Sequence, residues 1–390
     1  MPTRRSVFAL CLTLLLAACG GNVAETTTEA TAASTTTADE STATTETTTA
    51  TETTAATEPF KVAFILLGTA ADGGWNLGHD QGRLAVEEEF GDLVETTVKE
   101  SVPESPQVLQ VIDDLVADGN QMIFGTSFGY MDFMLEAAAK YPDVIFEHVT
   151  GYKTSENMAN YNGAQEDAKY LAGMAAGAAS ESGQLGYVAP FAIPLIIKHI
   201  NAWTLGAQSV NPDATVQVVW LNSWFDPAAE RQAAESLIAS GADVIGHSQD
   251  TPSACQAAEA EGLFCTGNTT DQAEFTPEAW LTGDVVNWGV YYVERVRQAM
   301  EGTWETGANY AGMADGMVEL ASIGPAVDDE TRAAIEEARA GISDGTLAYL
   351  TGPISDQAGE VRVADGVTMT LEEVLGWDWF VQGIEGSPTG

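Results

Sequence analysis

Lys61-Val62-Ala63-Phe64-Ile65-Leu66-Leu67, followed by Gly68-Thr69-Ala70-Ala71-Asp72-Gly73-Gly74 and then Trp75-Asn76, sets the architecture of this chain. The first seven residues contain no polar position after Lys61, so they read as a strand covered on both faces. A glycine-bearing loop follows, and Trp75 to Phe90 reads as a helix. A fully apolar strand that feeds a helix through a short loop is the opening of a βαβ unit, which implies a parallel sheet with helices on both sides.

The same alternation continues outward. Strands are expected at Val94–Val98, Met122–Phe124 and Val144–Phe146, and helices at Ser105–Ala117 and Tyr130–Tyr141. An Ala/Gly-rich helix, Asp167–Ser180, then precedes a second round. Its strands are Gln184–Val188, Val216–Leu221, Val244–Ile245 and Leu263–Cys265, and its helices are Leu195–Ser209, Ala228–Ser240 and Pro252–Ala260. Two similar half-chains predict two α/β lobes, residues 59–162 and 163–283. Residues 284–322, beginning near strand Leu281–Val286 and a helix through Met300, are expected to return to the first lobe. Residues 323–390, with a helix at Asp328–Ala340, are expected to complete the second.

Upstream of Pro59 the chain changes character. Arg4 and Arg5, an apolar run from Val7 to Ala18, and Leu16-Ala17-Ala18-Cys19-Gly20 describe a secretory leader over residues 1–18, too short to span a bilayer. A Cys at the cut site resembles the bacterial lipoprotein pattern, in which Cys19 carries the lipid; an ordinary leader with an incidental Cys is the alternative. Residues 23–58 are almost wholly Thr, Ala, Ser and Glu. Such a segment cannot bury enough apolar surface to offset its ordering entropy, so 19–58 is expected to be a lipid-anchored, disordered stalk. The expected location is extracytoplasmic, with the membrane touched through the N-terminal lipid only.

The whole chain has 57 acids against 15 Lys plus Arg. Seven acids lie in the stalk and two arginines in the leader, so residues 59–390 carry 50 acids against 13 bases. A surface this negative repels nucleic acid and anionic lipid, and it fits a secreted or salt-adapted protein. Cys255 and Cys265 either pair, clipping a helix to the following strand, or remain two buried thiols. No Cys/His spacing suggests a metal site, and no cofactor is expected. His79, His148, His199 and His247 stand alone in the sequence and read as structural.

Ligands of open α/β sheets sit beyond the carboxyl ends of the strands. The loops there are Ala71–Asn76, Thr126–Tyr130, Pro190–Pro194, Asn222–Asp226, Ser248–Asp250 and Gly267-Asn268. Nearly every one offers an aromatic or an amide, the make-up of a cleft for a flat, polar-edged molecule. Taken singly, Trp75 and Trp224 could be core packing, Asp226, Asp250 and Asn76 helix caps, and Phe128 and Phe191 core residues.

Asp72–Asn76, Thr126–Tyr130, Tyr141–Phe146, Phe191–Pro194, Asn222–Pro227 and Gly241–Ile245, in this order and spacing, resemble the basic membrane protein family of ABC-transporter substrate-binding lipoproteins, also called the PnrA-like group. The resemblance runs over 59–386. It implies a two-lobed type I periplasmic-binding-protein fold, each lobe a parallel sheet flanked by helices, that closes on a purine nucleoside or base. It further implies an aromatic sandwich from Trp75 and Trp224, with Asn76 beside it. Two departures stand out. Asn268 occupies the place of an acid that would hold ribose, and no lysine matches around Leu281–Asn287. Both losses imply a ligand without ribose, an adenine-like purine base.

The expected site is therefore Trp75, Asn76, Thr126, Phe128, Phe191, Trp224, Asp250 and Asn268. The rings would stack on the ligand while Asn76, Asn268 and Asp250 read its edge. The expected partners are a small purine and an ABC permease, with the receptor itself monomeric. Rival readings are a sugar or riboflavin receptor on the same scaffold, a sensor lobe, and a secreted hydrolase using Asp72, Asp226 or Asp250. No His stands beside an obvious nucleophile for the last of these.

Overall fold

The structure is a computed structural model describing residues 58–390. The leader, Cys19 and all but the last residue of the stalk lie outside the described residues.

The first sheet contains β1 (Phe60–Ile65), β2 (Val94–Lys99), β3 (Met122–Gly125), β4 (Ile145–Val149) and β5 (Met158–Gly163). Its helices are α1 (Trp75–Phe90), α2 (Gln107–Ala117) and α3 (Met131–Lys140). After α4 (Gln165–Ala179) the second sheet forms from β6 (Gln184–Ala189), β7 (Thr215–Trp220), β8 (Val244–His247), β9 (Phe264–Gly267) and β10 (Trp280–Val286). These strands alternate with α5 (Pro194–Val210), α6 (Pro227–Ala239) and α7 (Ser253–Ala260). Then follow α8 (Trp288–Glu301), β11 (Ala308–Ala311), β12 (Val318–Leu320), α9 (Asp329–Ser343), a small hairpin β13 (Ile354–Ser355) and β14 (Val361–Val363), α10 (Leu371–Leu375) and β15 (Ile384–Glu385).

The first sheet has the order β11-β5-β4-β3-β1-β2 and is parallel throughout. The second runs β12-β10-β9-β8-β6-β7-β15, with only β12 antiparallel to its neighbour. Both are buried on two faces, as apolar strands without alternation require. On β1, Ala63 and Ile65 pack with α2 and α3 on one side, while Val62 and Phe64 pack with Trp288 and Tyr292 of α8 on the other. In the second sheet Leu185 and Tyr187 join one core and Val188 the opposite one.

The chain crosses between the sheets three times: from β5 into α4, from β10 into α8, and from β11 to β12. The expected return of 284–322 to the first lobe is thus broken, because Val318–Leu320 pair with β10 in the second sheet. The Ala/Gly composition of α4 lets it lie directly against α5. A Cβ at Gly206 would stand 1.9 Å from the Tyr170 carbonyl oxygen, and one at Gly173 2.0 Å from that of Trp203. Cys255 and Cys265 form a disulfide that ties α7 to β9.

Candidate functional site

The loops at the carboxyl ends of both sheets face one another across a cleft. Its inner part is a slit enclosing about 420 Å³ of atom-free space, some of it open to solvent. Past Phe128, Thr150 and Leu195 the slit gives onto a broader chamber of about 1100 Å³, likewise partly open.

Five of the eight residues singled out in the sequence line the slit: Trp75, Phe128, Trp224, Asp250 and Asn268. Trp75 is the first residue of α1. Its indole Nε1 donates to the Thr126 carbonyl at 2.7 Å, and His79 and Trp288 meet it edge-on at 4.6 and 5.6 Å between ring centroids. One ring is thereby held from the first lobe. Trp224, in the loop after β7, comes from the second lobe and packs 5.1 Å from Phe191. Its carbonyl accepts from the Asp250 N–H, so these two residues are positioned together.

Asp250 is buried, and its Oδ2 has no partner among the described residues. It does not cap α7, which starts at Ser253 without a side-chain cap. Burial pushes its carboxyl well above the usual carboxylate range, and the carboxylates of Asp72, Glu230 and Glu104 push it further. Asn268 donates from Nδ2 to the Gln249 carbonyl at 3.1 Å, while its Oδ1 has no partner. Thr269 beside it leaves Oγ1 unpartnered too.

The remaining three lie elsewhere. Asn76 is fully buried beneath the loop after β1. It donates to Asp72 Oδ2 at 2.7 Å and accepts from the Gly68 N–H, and Asp72 in turn accepts from the N–H groups of Gly74, Asn76 and Leu77. Its amide holds the start of α1. Thr126 turns its hydroxyl to the Ile65 carbonyl and serves the site through its own carbonyl. Phe191 stands behind Trp224, lining a separate outer recess with Glu104 and Phe225. Asp226 caps α6 by accepting from the Ala229 N–H, with Pro227 as first helical residue.

His199, Gln165 and Thr269 also line the slit and were missed in the sequence. A signal existed for His199. It lies one turn past Leu195 on the helix that leaves the Pro190–Pro194 loop, so a cleft-facing start of α5 carries both. Gln165 is pinned by Asp284, whose Oδ2 accepts from its Nε2 at 2.7 Å and from the Thr269 N–H at 3.1 Å. Asp284 is paired through Oδ1 with Lys169 at 2.8 Å, both side chains buried. This network sets the floor of the slit.

The two lobes touch along one side of the cleft. The Gly73 carbonyl accepts from Thr270 Oγ1 at 2.9 Å and Gln272 Nε2 at 3.1 Å. A Cβ at Gly74 would stand 2.4 Å from the Asp250 carbonyl oxygen, so only glycine allows this approach.

Residues 125–129, Gly-Thr-Ser-Phe-Gly, carry the Gly-x-Ser-x-Gly spacing of a nucleophile elbow. The geometry does not follow the pattern. Ser127 Oγ donates to Glu104 Oε1 at 2.6 Å, and His148 Nε2 meets the Ser127 main-chain oxygen at 2.9 Å rather than the hydroxyl. The serine–histidine hydrogen bond of that constellation is not made among the described residues. Among the described residues no group of three or more His, Cys, Asp or Glu is placed to hold a metal ion.

Comparison with known proteins agrees with this architecture. The family described as ABC transporter substrate-binding protein PnrA-like matches residues 60–345. A purine-binding protein of Brucella abortus is 41% identical over 328 residues, covering 84% of this chain and 93% of the relative. A putative ABC transporter glucose-binding protein of Haloferax volcanii is 38% identical over 333 residues, covering 84% and 81%. The crystal structure of an ABC transporter solute-binding protein from Aeropyrum pernix superposes with a TM-score of 0.64 at 18% identity, over 81% of this chain and 97% of that one, a likeness of fold. The chain belongs to the PnrA-like family of ABC transporter substrate-binding proteins.

Proposed function

We propose that this substrate-binding protein is an extracytoplasmic receptor that closes on an uncharged purine base of the adenine type and presents it to its permease. Trp75 and Trp224 would stack on the two faces of the ring, worth about 0.5–1.5 kcal/mol for each aromatic pair beyond area burial. Asp250 would accept from an exocyclic amine. Asn268 Oδ1 would accept a second amine hydrogen. The absence of a carboxylate at position 268 favours a base over its nucleoside. Closure is favoured by the ligand because contacts from both lobes exist together only in the closed form.

The single observation that carries this reading is that two indoles from opposite lobes and the unpartnered polar atoms of Asp250 and Asn268 line one slit. The purine-binding relative supports the same choice. The glucose name of the other relative favours a sugar, for which the chamber is roomier than the slit. Lipidation at Cys19, tethering the receptor to the membrane, and a monomeric receptor are part of the proposal.

Calorimetric titration of the mature protein with adenine, adenosine, riboflavin and glucose separates these readings. Adenine is expected to bind tightest. Heat with glucose alone, or with no purine, overturns the assignment.

A further inference from the structure

His199 lies on the second-lobe wall of the slit, one turn beyond Leu195 on α5. It is 2% exposed, and neither Nδ1 nor Nε2 has a hydrogen-bond partner among the described residues. Its neighbour Lys198 is engaged elsewhere, with Glu166 at 2.9 Å and the Tyr310 hydroxyl at 2.7 Å. Burial holds the imidazole well below its ordinary pKa, and the ammonium groups of Lys198 and Lys169 lower it further, so the ring is uncharged. A neutral imidazole is one N–H donor and one lone-pair acceptor. Burying both unsatisfied is costly, and nothing in the surrounding core requires a polar ring at this position.

Taken on the proposed function, this unspent capacity belongs to the ligand. We propose that His199 is a specificity-determining residue whose neutral imidazole makes one hydrogen bond to the edge of the bound heterocycle. Its two ring nitrogens point away from each other, so only one of them can face that edge. With Asp250 and Asn268 taking the two hydrogens of an exocyclic amine, the complementary group for His199 is a ring nitrogen that accepts from its N–H. No Lys or Arg among the described residues lines the slit, which disfavours an anionic ligand such as urate.

The experiment compares wild-type protein with His199→Phe, which keeps a ring of similar size and removes both polar atoms. Adenine and uric acid are titrated by calorimetry, and the ligand-free proteins are melted. Adenine affinity is expected to fall about tenfold in His199→Phe, the loss that goes with one unmet hydrogen bond. Wild-type protein is expected to bind adenine at least 100-fold more tightly than urate, a preference that shrinks in the variant. The ligand-free variant is expected to melt no lower than wild type, because no protein partner is lost. In wild-type protein the His199 ring nitrogen resonances are expected to shift on adding adenine. Equal adenine affinity in both proteins, or a ligand-free variant that melts several degrees lower, overturns the role of His199 while leaving the receptor assignment intact. A wild-type protein that binds no adenine overturns the assignment and this role together.

Discussion

Replacing Lys169 by Ala tests the floor of the slit. Lys169 Nζ is 2.8 Å from Asp284 Oδ1 and also donates to the carbonyls of His247 at 2.9 Å and Gly267 at 3.2 Å. The carboxylate is fully buried, and the ammonium is the sole counter-charge that the described residues place against it. Removing one member of a buried pair leaves an uncompensated charge, a loss of about 3–5 kcal/mol. At about 2–4 °C per kcal/mol for chains of 150–250 residues, the melting temperature is expected to drop by on the order of 10 °C at pH 7. Lys169→Met combined with Asp284→Leu removes both charges and is expected to recover most of the loss. Differential scanning calorimetry of the three proteins, wild type included, reads all of this. A Lys169→Ala protein melting within about 2 °C of wild type, or a double variant worse than the single, contradicts the assigned energetics.

Gly74→Ala places a methyl against the Asp250 carbonyl and is expected to keep the lobes from meeting. Ligand affinity should fall at least about tenfold, and small-angle scattering should show no contraction on adding adenine. Glu230 is pushed up to about 7 by burial, with the Asp226 and Asp72 carboxylates adding to the shift and hydrogen bonds from Thr251 and the Asp226 N–H opposing it. Its folded value lies above its unfolded one, so its contribution is complete below about pH 4.5 and is lost as pH rises through 7. The loss amounts to about 3 kcal/mol by pH 8. Glu230→Gln should flatten that part of the stability profile in denaturant titrations at pH 5 and 8. Reducing the Cys255–Cys265 disulfide, which closes a loop of 10 residues in sequence, should cost about 3 kcal/mol, measured as a shift in denaturant midpoint.

The fold was legible because its strands are short, apolar and buried on two faces, and its helices start at recognisable loops. Trp75–Phe90 was found to the residue for that reason. β5 escaped notice because Met158–Gly163 carries Asn160 and Asn162, which lower strand propensity, although every residue of it is buried. The terminal strand Ile384–Glu385 is two residues long and is defined only by its pairing with β7. At the site, the aromatic residues of the strand-end loops were visible because loop position and ring chemistry are local properties. Asn76 shared that loop but spends its amide on Asp72, a choice made by three-dimensional packing. Gln165 was hidden because it opens α4, whose facing of the slit depends on how α4 and α5 cross, a close crossing that glycines at 173 and 206 permit. His199 could have been read only from its place one turn past the Pro190–Pro194 loop.

The lining of the slit is unequally shared. The unpartnered polar atoms of Asp250, His199, Asn268 and Thr269 all belong to the half built on the second sheet, whereas Leu67, Trp75 and Phe128 come from the other. On the proposed function, an arriving solute is tested for identity by one half while the molecule gapes, and the opposite half then descends as a largely greasy lid. Substitutions in the testing half should alter which solutes are accepted. Those in the lid should chiefly alter how long an accepted solute stays, and so how often the receptor reaches its permease still loaded.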